Sequence, residues 1–354
     1  MTISRINFST SILNEFNDII DVRSPLEYQE DHIPLSLNLP VLTDQERVLV
    51  GTTYKQKSKF EAKKMGAILI SKNISNHLKK KLTGKEKDWK PLIYCWRGGQ
   101  RSYAFATILS QIGWKVGILE GGYKSFRKSV TTFLDDKISD FKVVLLTGNT
   151  GTAKTSMLKV LKKREIQTID LEALANHKGS VFGSQGQKQP SQKHFETNIF
   201  NEFKDKKRDQ YILIEAESNK IGNLSIPRGL WAVMKNAPHI ELCATIDNRS
   251  LFLVTQYSEI TKDHELLEKQ IKSLKSLSGS KKVNEWLNLA KQKKFVTLAK
   301  ELIETHYDPR YSKGQLRNER KLIGSVDLEN ISPKKLLSAA EKIKGMLSNF
   351  SNKS

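Results

Sequence analysis

Twice in this chain a short apolar run leads through a glycine-bearing loop into a stretch with helical spacing. The first instance is "PLIYCWRGGQRSYAFATIL", residues 91–109, and the second is "KVVLLTGNTGTAKTSMLKVLKKR", residues 142–164. Strands that alternate with helices pair in parallel, and a parallel sheet must be covered on both faces. Around the first instance, "DIIDV" and "WKVGILEGG" read as further strands. The segment "FEAKKMGAILISKNISNHLKKKL" spaces Phe60, Met65, Ile68, Leu69, Ile74 and Leu78 near a helical period. Around the second, "IQTIDLEAL", "DQYILIEAES" and "IELCATID" supply strands, and beyond residue 250 the chain turns helical. With 354 residues there is too much chain for one core. The expected fold class is therefore α/β in two domains. The first spans residues 1–135; the second, residues 136–321, carries a helical extension. Residues 322–354 read as a lysine-rich tail whose end, "LSNFSNKS", is expected to fray.

Composition narrows the partners. The formal net charge is +21, which attracts phosphate-rich molecules, although lysines dispersed through "KEKDWK", "KDKKRD" and "SPKKLLSAAEKIK" equally suit a solvated surface. No apolar run approaches the ~20 residues of a membrane span. The start "MTISRINFSTSILNEF" lacks the pattern of a secretory signal, so the expected location is cytoplasmic, with no membrane partner. The two cysteines, Cys95 and Cys243, form no zinc-type spacing and no disulfide framework. Cys243, in "ELCATI", reads as a small core residue.

Cys95 differs because of its loop. It ends a strand, the pair Gly98–Gly99 lets the backbone curl so that N–H groups point inward, and a helix begins near Arg101 or Ser102. A thiolate in such a nest is stabilised, and Arg97 and Arg101 add fixed positive charge. The five residues between Cys95 and Arg101 match the spacing of cysteine-dependent phosphatases, and rhodanese-type sulfurtransferases use a loop of the same kind.

The upstream sequence separates these two. "DIIDVRSPLEYQEDHIPLSLNLP" resembles the rhodanese opening through Asp21, Arg23, Glu27, His32, Ile33, Pro34, Asn38 and Pro40, and "LEGGYKSFRK" resembles its closing strand and turn. Asp21 and Arg23 are expected to pair internally and fix the fold. The first domain is thus expected to be rhodanese-like.

"GNTGTAKT", residues 148–155, follows a strand and opens a helix, the context of a P-loop. Gly148, Asn149, Thr150 and Gly151 would cradle a diphosphate with their N–H groups. Lys154 would reach the outer phosphate, and Thr155 could hold Mg2+. Ala153 stands where the pattern asks for glycine, which argues for diphosphate binding more than for fast nucleotide hydrolysis. Glu215 and Glu217 end the strand that would carry the acidic magnesium partner.

A rhodanese-like domain followed by a P-loop domain resembles the tRNA 2-selenouridine synthase family. The resemblance extends through "GTTYKQKSKFEAKKMG", with Gly51, Tyr54, Lys55 and Gly66, and through "DLEALANHKGSVFGSQGQKQPSQKHFE", with Asp170, Glu172, Asn176, His177, Gln189 and Gln192. It implies a wobble 2-thiouridine of tRNA as substrate, with geranyl diphosphate and selenophosphate as co-substrates and no covalently bound cofactor. A selenophosphate-producing enzyme would be a further partner. Cys95 would be the nucleophile, passing through an S-selanyl intermediate, with Arg97, Gly98, Gly99, Arg101 and Ser102 holding the phosphate of selenophosphate. Lys154 would stabilise the diphosphate leaving group. Gly51, Asp170, His177, Gln192 and Glu215 are candidate substrate-site residues. Two other functions fit the loops: a persulfide-dependent tRNA sulfurtransferase with ATP activation, and a phosphatase-like enzyme built on the C-x5-R loop.

Overall fold

The structure is a computed structural model that describes residues 3–177, 188–216, 218–315 and 320–352. The chain divides into two compact units, residues 1–133 with 190–204, and residues 134–189 with 205–354.

In the first unit, five strands form one sheet: β1 (Ser4–Ile6), β2 (Asp18–Asp21), β3 (Leu37–Asn38), β4 (Pro91–Tyr94) and β5 (Gly117–Leu119). Their order is β1-β5-β4-β2-β3 and every pairing is parallel. All four residues of β4 are buried, as a central strand covered on both faces requires. The helices are α1 (Pro25–Glu30), α2 (Asp44–Gln56), α3 (Lys59–His77), α4 (Gln100–Ile112) and α5 (Gly122–Thr132). Ile20, Ile93, Phe105 and Leu109 form the centre of the core between them. Asp21 and Arg23 are fully buried and bonded to each other, Arg23 Nε reaching both carboxylate oxygens at 3.0 Å, so the pair is structural.

Helix α2 escaped the sequence reading because its apolar residues are few and mostly exposed. It starts with a capping box in which Thr43 accepts from the Glu46 N–H and Glu46 accepts from the Thr43 N–H. A larger correction concerns the helix Gln192–Lys204, which belongs to the first unit rather than to the P-loop domain. Phe195, Ile199 and Phe203 are fully buried, and Phe200 meets the rings of Phe126 and Phe133 edge-on. The buried Asp31 carboxylate accepts from Tyr123 Oη at 2.7 Å and Thr197 Oγ1 at 3.0 Å, tying this helix to the rhodanese-like core.

The second unit is built on β6 (Val143–Thr147), β7 (Thr168–Ile169), β8 (Ile212–Glu215), β11 (His239–Cys243) and β12 (Leu322–Asp327), with a small antiparallel hairpin of β9 (Lys220–Ile221) and β10 (Leu224–Ser225). The five-stranded sheet has the order β12-β11-β6-β8-β7 and is parallel throughout. Residues 322–351 are therefore not a tail. β12 pairs with β11, and the helix Pro333–Ser351 places Leu336, Ala340, Ile343 and Leu347 in the core beside α6 (Lys154–Lys162). Helices between residues 246 and 302 enclose a second apolar cluster around Ile271, Leu274 and Trp286.

Candidate functional site

Residues 95–99 form the turn between β4 and α4. Cys95 is 4% exposed, and its Sγ accepts from the Gly99 N–H at 3.2 Å and lies 3.3 Å from Ser102 Oγ. Burial pushes the thiol pKa up. The hydrogen bond with Ser102, the Arg101 charge and the N–H groups of Ser102 and Arg97 outweigh it, so the thiol sits below its ordinary value. Arg101 forks onto Glu27, with Nη1 at 2.6 Å and Nη2 at 3.2 Å, and Arg47 lies close enough to favour the Glu27 carboxylate electrostatically. Arg97 is exposed.

The loop is clasped from behind by backbone. Tyr123 N–H donates to the Cys95 carbonyl at 2.8 Å, and Lys124 N–H donates to that of Trp96 at 3.0 Å. Gly98 and Gly122 both have positive φ, and a Cβ on Gly98 would lie 2.6 Å from the Leu119 carbonyl oxygen. Glu27 and Gly122 were visible in the sequence only as parts of a resemblance. Nothing local links Glu27 to Arg101, 74 residues away.

These charges predict a titration. Cys243 has its pKa raised, by burial first and then by Glu241 and Asp327. Ultraviolet thiolate absorbance is therefore expected to rise in two steps, with the lower one below the ordinary thiol pKa. Cys95→Ser should remove the lower step, and Arg101→Gln should move it upward. A single step unaffected by either substitution would contradict the electrostatics.

The second loop closes β6 onto α6. Gly148 and Gly151 take φ of 140° and 89°, and Ala153 sits at φ 61°, the left-handed conformation that glycine usually fills. The methyl group costs about 1–2 kcal/mol there but does not prevent the geometry. Arg249 is 3% exposed. It anchors the loop by donating to the Thr150 carbonyl at 2.8 Å and forking onto Asp308. The Gly148 N–H donates to Tyr311 Oη, and Lys154 Nζ donates to the Gly148 carbonyl, both at 2.8 Å.

Thr155 Oγ1 donates to Glu172 Oε2 at 3.1 Å and lies 3.3 Å from Glu215 Oε2, while Glu215 Oε1 accepts from the Glu172 N–H. A hydroxyl beside two carboxylates is an oxygen donor set that fits a magnesium ion, which takes one or two carboxylates and keeps waters and phosphates for the rest. Glu217 lies outside the described residues.

A cleft of about 980 Å3 opens over this loop. Thr150, Gly151, Lys154, Thr155, Asp170 and Glu172 line it, with Lys159, Arg310 and Arg320 adding positive charge. At Thr150, Leu253, Tyr257 and Tyr307 it adjoins a pocket of about 70 Å3 walled by Val254, Ile260, Leu267, Phe295, Leu298 and Leu302. The other expected substrate-site residues separate. Asp170 caps its helix and lines the cleft, and Glu215 is fully buried at the end of β8. His177 carries a buried Nδ1 without a hydrogen-bond partner among the described residues, and burial lowers its pKa. Gly51 lies in α2, and Gln192 starts the helix of the first unit, bonded to Glu196, so neither lines the cleft. Gln189 instead pins the β9–β10 turn through the Ile221 carbonyl and the Asn223 N–H.

A thiol in a rhodanese-type loop and a P-loop at the head of a parallel sheet define a two-unit protein of the rhodanese/P-loop class. Residues 10–129 match the rhodanese-like domain, and residues 141–288 match the tRNA 2-selenouridine synthase AAA domain. Proteins named tRNA 2-selenouridine synthase from Psychromonas ingrahamii, Shewanella frigidimarina and Sulfurovum sp. are 34%, 34% and 33% identical over 68%, 70% and 73% of this chain. The matches span 64%, 68% and 70% of those relatives' own length. The chain belongs to the tRNA 2-selenouridine synthase family. A rhodanese-related protein from Thermoplasma volcanium, of known crystal structure, is 24% identical over 36% of this chain and 92% of its own, with a TM-score of 0.24.

Proposed function

We propose that the chain is a tRNA-modifying transferase that converts a wobble 2-thiouridine to 2-selenouridine through an S-geranylated intermediate, using geranyl diphosphate and selenophosphate. The observation that carries this reading is the apolar pocket beside the P-loop. A nucleotide base needs hydrogen-bond partners where it is buried, whereas a hydrocarbon needs none. At about 70 Å3 the pocket is roughly half the size of the 150 Å3 cavity that accepts benzene, so it suits the end of a chain whose remainder lies in the cleft.

In the first step the C2 sulfur attacks C1 of the geranyl group and the C–O bond breaks, with diphosphate leaving on the electron pair. Lys154 and the N–H groups of Asn149, Thr150 and Gly151 would take up the charge that develops on that leaving group. Magnesium, held by Thr155 with Glu172 and Glu215, would neutralise further phosphate charge. Alkylation turns the sulfur into a leaving group, departing as geranylthiolate rather than as sulfide.

In the second step selenium replaces it. Overall, the S-geranyl nucleoside, selenophosphate and water give the selenonucleoside, geranylthiol and phosphate. Selenium stays at the selenide level, so no oxidant is required. An S–Se bond would need a two-electron oxidant. The Cys95 thiolate would instead attack the phosphorus of selenophosphate, held by the loop N–H groups, breaking the P–Se bond and releasing selenide to C2. Water would then cleave the S–P bond to return the thiol and phosphate. A selenophosphate-producing enzyme would supply that donor.

Mass spectrometry of a 2-thiouridine tRNA tests this. Geranyl diphosphate is expected to add one geranyl mass, and selenophosphate then to exchange the geranylthio group for selenium. Only the second step should be lost in Cys95→Ala. ATP-dependent sulfur transfer or generic phosphate-ester turnover, without a geranyl adduct, would overturn the reading.

A further inference from the structure

Helices α2 and α3 form an antiparallel hairpin between β3 and β4. Its root touches the thiol site. Asp44 Oδ1 accepts from the Leu26 N–H at 2.9 Å, and Arg47 acts on Glu27, the carboxylate that forks Arg101. Asn73 and His77 fix the returning helix by donating to the Val41 carbonyl and bonding the Pro40 carbonyl. Gly66 of the returning helix faces Val50, which a Cβ there would meet in ordinary contact at 3.7 Å.

The tip is built differently from a solvated surface. Tyr54 is 47% exposed and Phe60 67%, although a large apolar ring is costly to leave in water. Residues 54–64 carry Lys55, Lys57, Lys59, Lys63 and Lys64 against the single acid Glu61. Lys59 Nζ stands 5.8 Å from the Tyr54 ring centroid and Lys64 Nζ 5.2 Å from that of Phe60. The chain thus presents two accessible aromatic faces inside a cationic field, at the end of a helix about 20 Å long whose other end adjoins the thiol loop.

We infer that this hairpin tip is a docking platform for single-stranded RNA, on which bases flanking the reacting nucleotide stack on Tyr54 and Phe60 while Lys55, Lys57, Lys59 and Lys63 bind the phosphates between them. This inference rests on the tRNA reading above and names the surface that receives the loop. Bases offer a π face whatever their identity, and phosphates match the lysines, so aromatics interleaved with cations fit unpaired RNA. A protein partner for the same surface would have to be acidic. The distance from the root means that the rings would grip neighbouring bases and leave the reacting base free to reach Cys95.

The test is a fluorescence-anisotropy titration of a labelled RNA stem-loop whose seven-nucleotide loop carries 2-thiouridine, using the whole chain at several salt concentrations. Tyr54→Ala with Phe60→Ala is expected to raise Kd by about tenfold or more per ring, without changing the slope of log K against log salt. Tyr54→Phe should retain binding. Lys55→Gln with Lys57→Gln and Lys59→Gln should instead flatten the slope by about two. Ultraviolet titration of Cys95 and circular dichroism check that the thiol loop and the fold survive. If the ring variants bind RNA as tightly as the wild type, or if the tip captures an acidic peptide in preference to RNA, the platform is overturned while the proposed reaction stands. If the wild type binds no RNA at all, the tRNA reading falls with it.

Discussion

Replacing Lys154 by alanine is expected to slow the proposed geranyl transfer by about a hundredfold or more, the usual cost of removing one preorganised group from a developing negative charge. Lys154 opens α6, so its ammonium and the helix N-terminus would act on the same leaving group in the proposed step. Arginine at this position should restore little, because a planar fork does not replace a compact point charge that already donates to the Gly148 carbonyl. The lower thiolate titration step should be unchanged, since Cys95 belongs to the other compact unit. Single-turnover rates with saturating geranyl diphosphate, read by mass spectrometry, make the comparison. A variant within about threefold of the wild type would mean that the P-loop lysine has no part in alkylation.

The portions of this chain that could be read from sequence are those whose physics is local. Cys95, Gly99 and Ser102 lie within eight consecutive residues, and the strand, turn and helix that place them are written in the same stretch. The P-loop is legible for the same reason, and even Ala153 conforms, because alanine reaches φ 61° at a small cost. Long-range partners are silent. The apolar stripe Phe195, Ile199 and Phe203 announces a helix with a buried face, but nothing in it says that the face returns to a core built from residues before 133. That choice is made by Asp31, which gathers Tyr123 and Thr197 from 92 and 166 residues away. In the last helix Lys334, Lys335, Lys342 and Lys344 dominate the composition, and its apolar residues recur at Leu336, Ala340, Ile343 and Leu347, a helical stripe that composition alone hides. The cleft shows the same limit. Tyr311 and Arg249 reach the P-loop from 163 and 99 residues away, and the apolar pocket is assembled by helices that carry no motif.

Gly122→Ala should unfold the first unit far more readily than any change in the motif glycine Gly99, although only Gly99 belongs to the C-x5-R loop. A Cβ on Gly122 would stand 2.2 Å from the Cys95 carbonyl oxygen, 2.5 Å from Gly98 N and 3.0 Å from Arg97 N, and all three are backbone atoms. No side chain can turn aside to make room. The residue also sits at φ 57°, which adds its own penalty. Together these give an expected loss of about 3–5 kcal/mol, or roughly 10 °C in melting temperature for a unit of this size. A Cβ on Gly99 meets nothing within 4 Å. With φ of −99° and ψ of −146° the backbone lies just beyond the regular extended region, so Gly99→Ala is expected to cost no more than about 1 kcal/mol. Where Gly122→Ala still folds, the Tyr123 N–H can no longer hold the Cys95 carbonyl at 2.8 Å, and the lower thiolate step should move upward as the cradle opens. Thermal unfolding and the absorbance titration, run on both variants, decide the matter. Equal stability of the two would mean that the thiol loop is shaped by its own glycines, and that the clasp from the 121–122 turn contributes nothing.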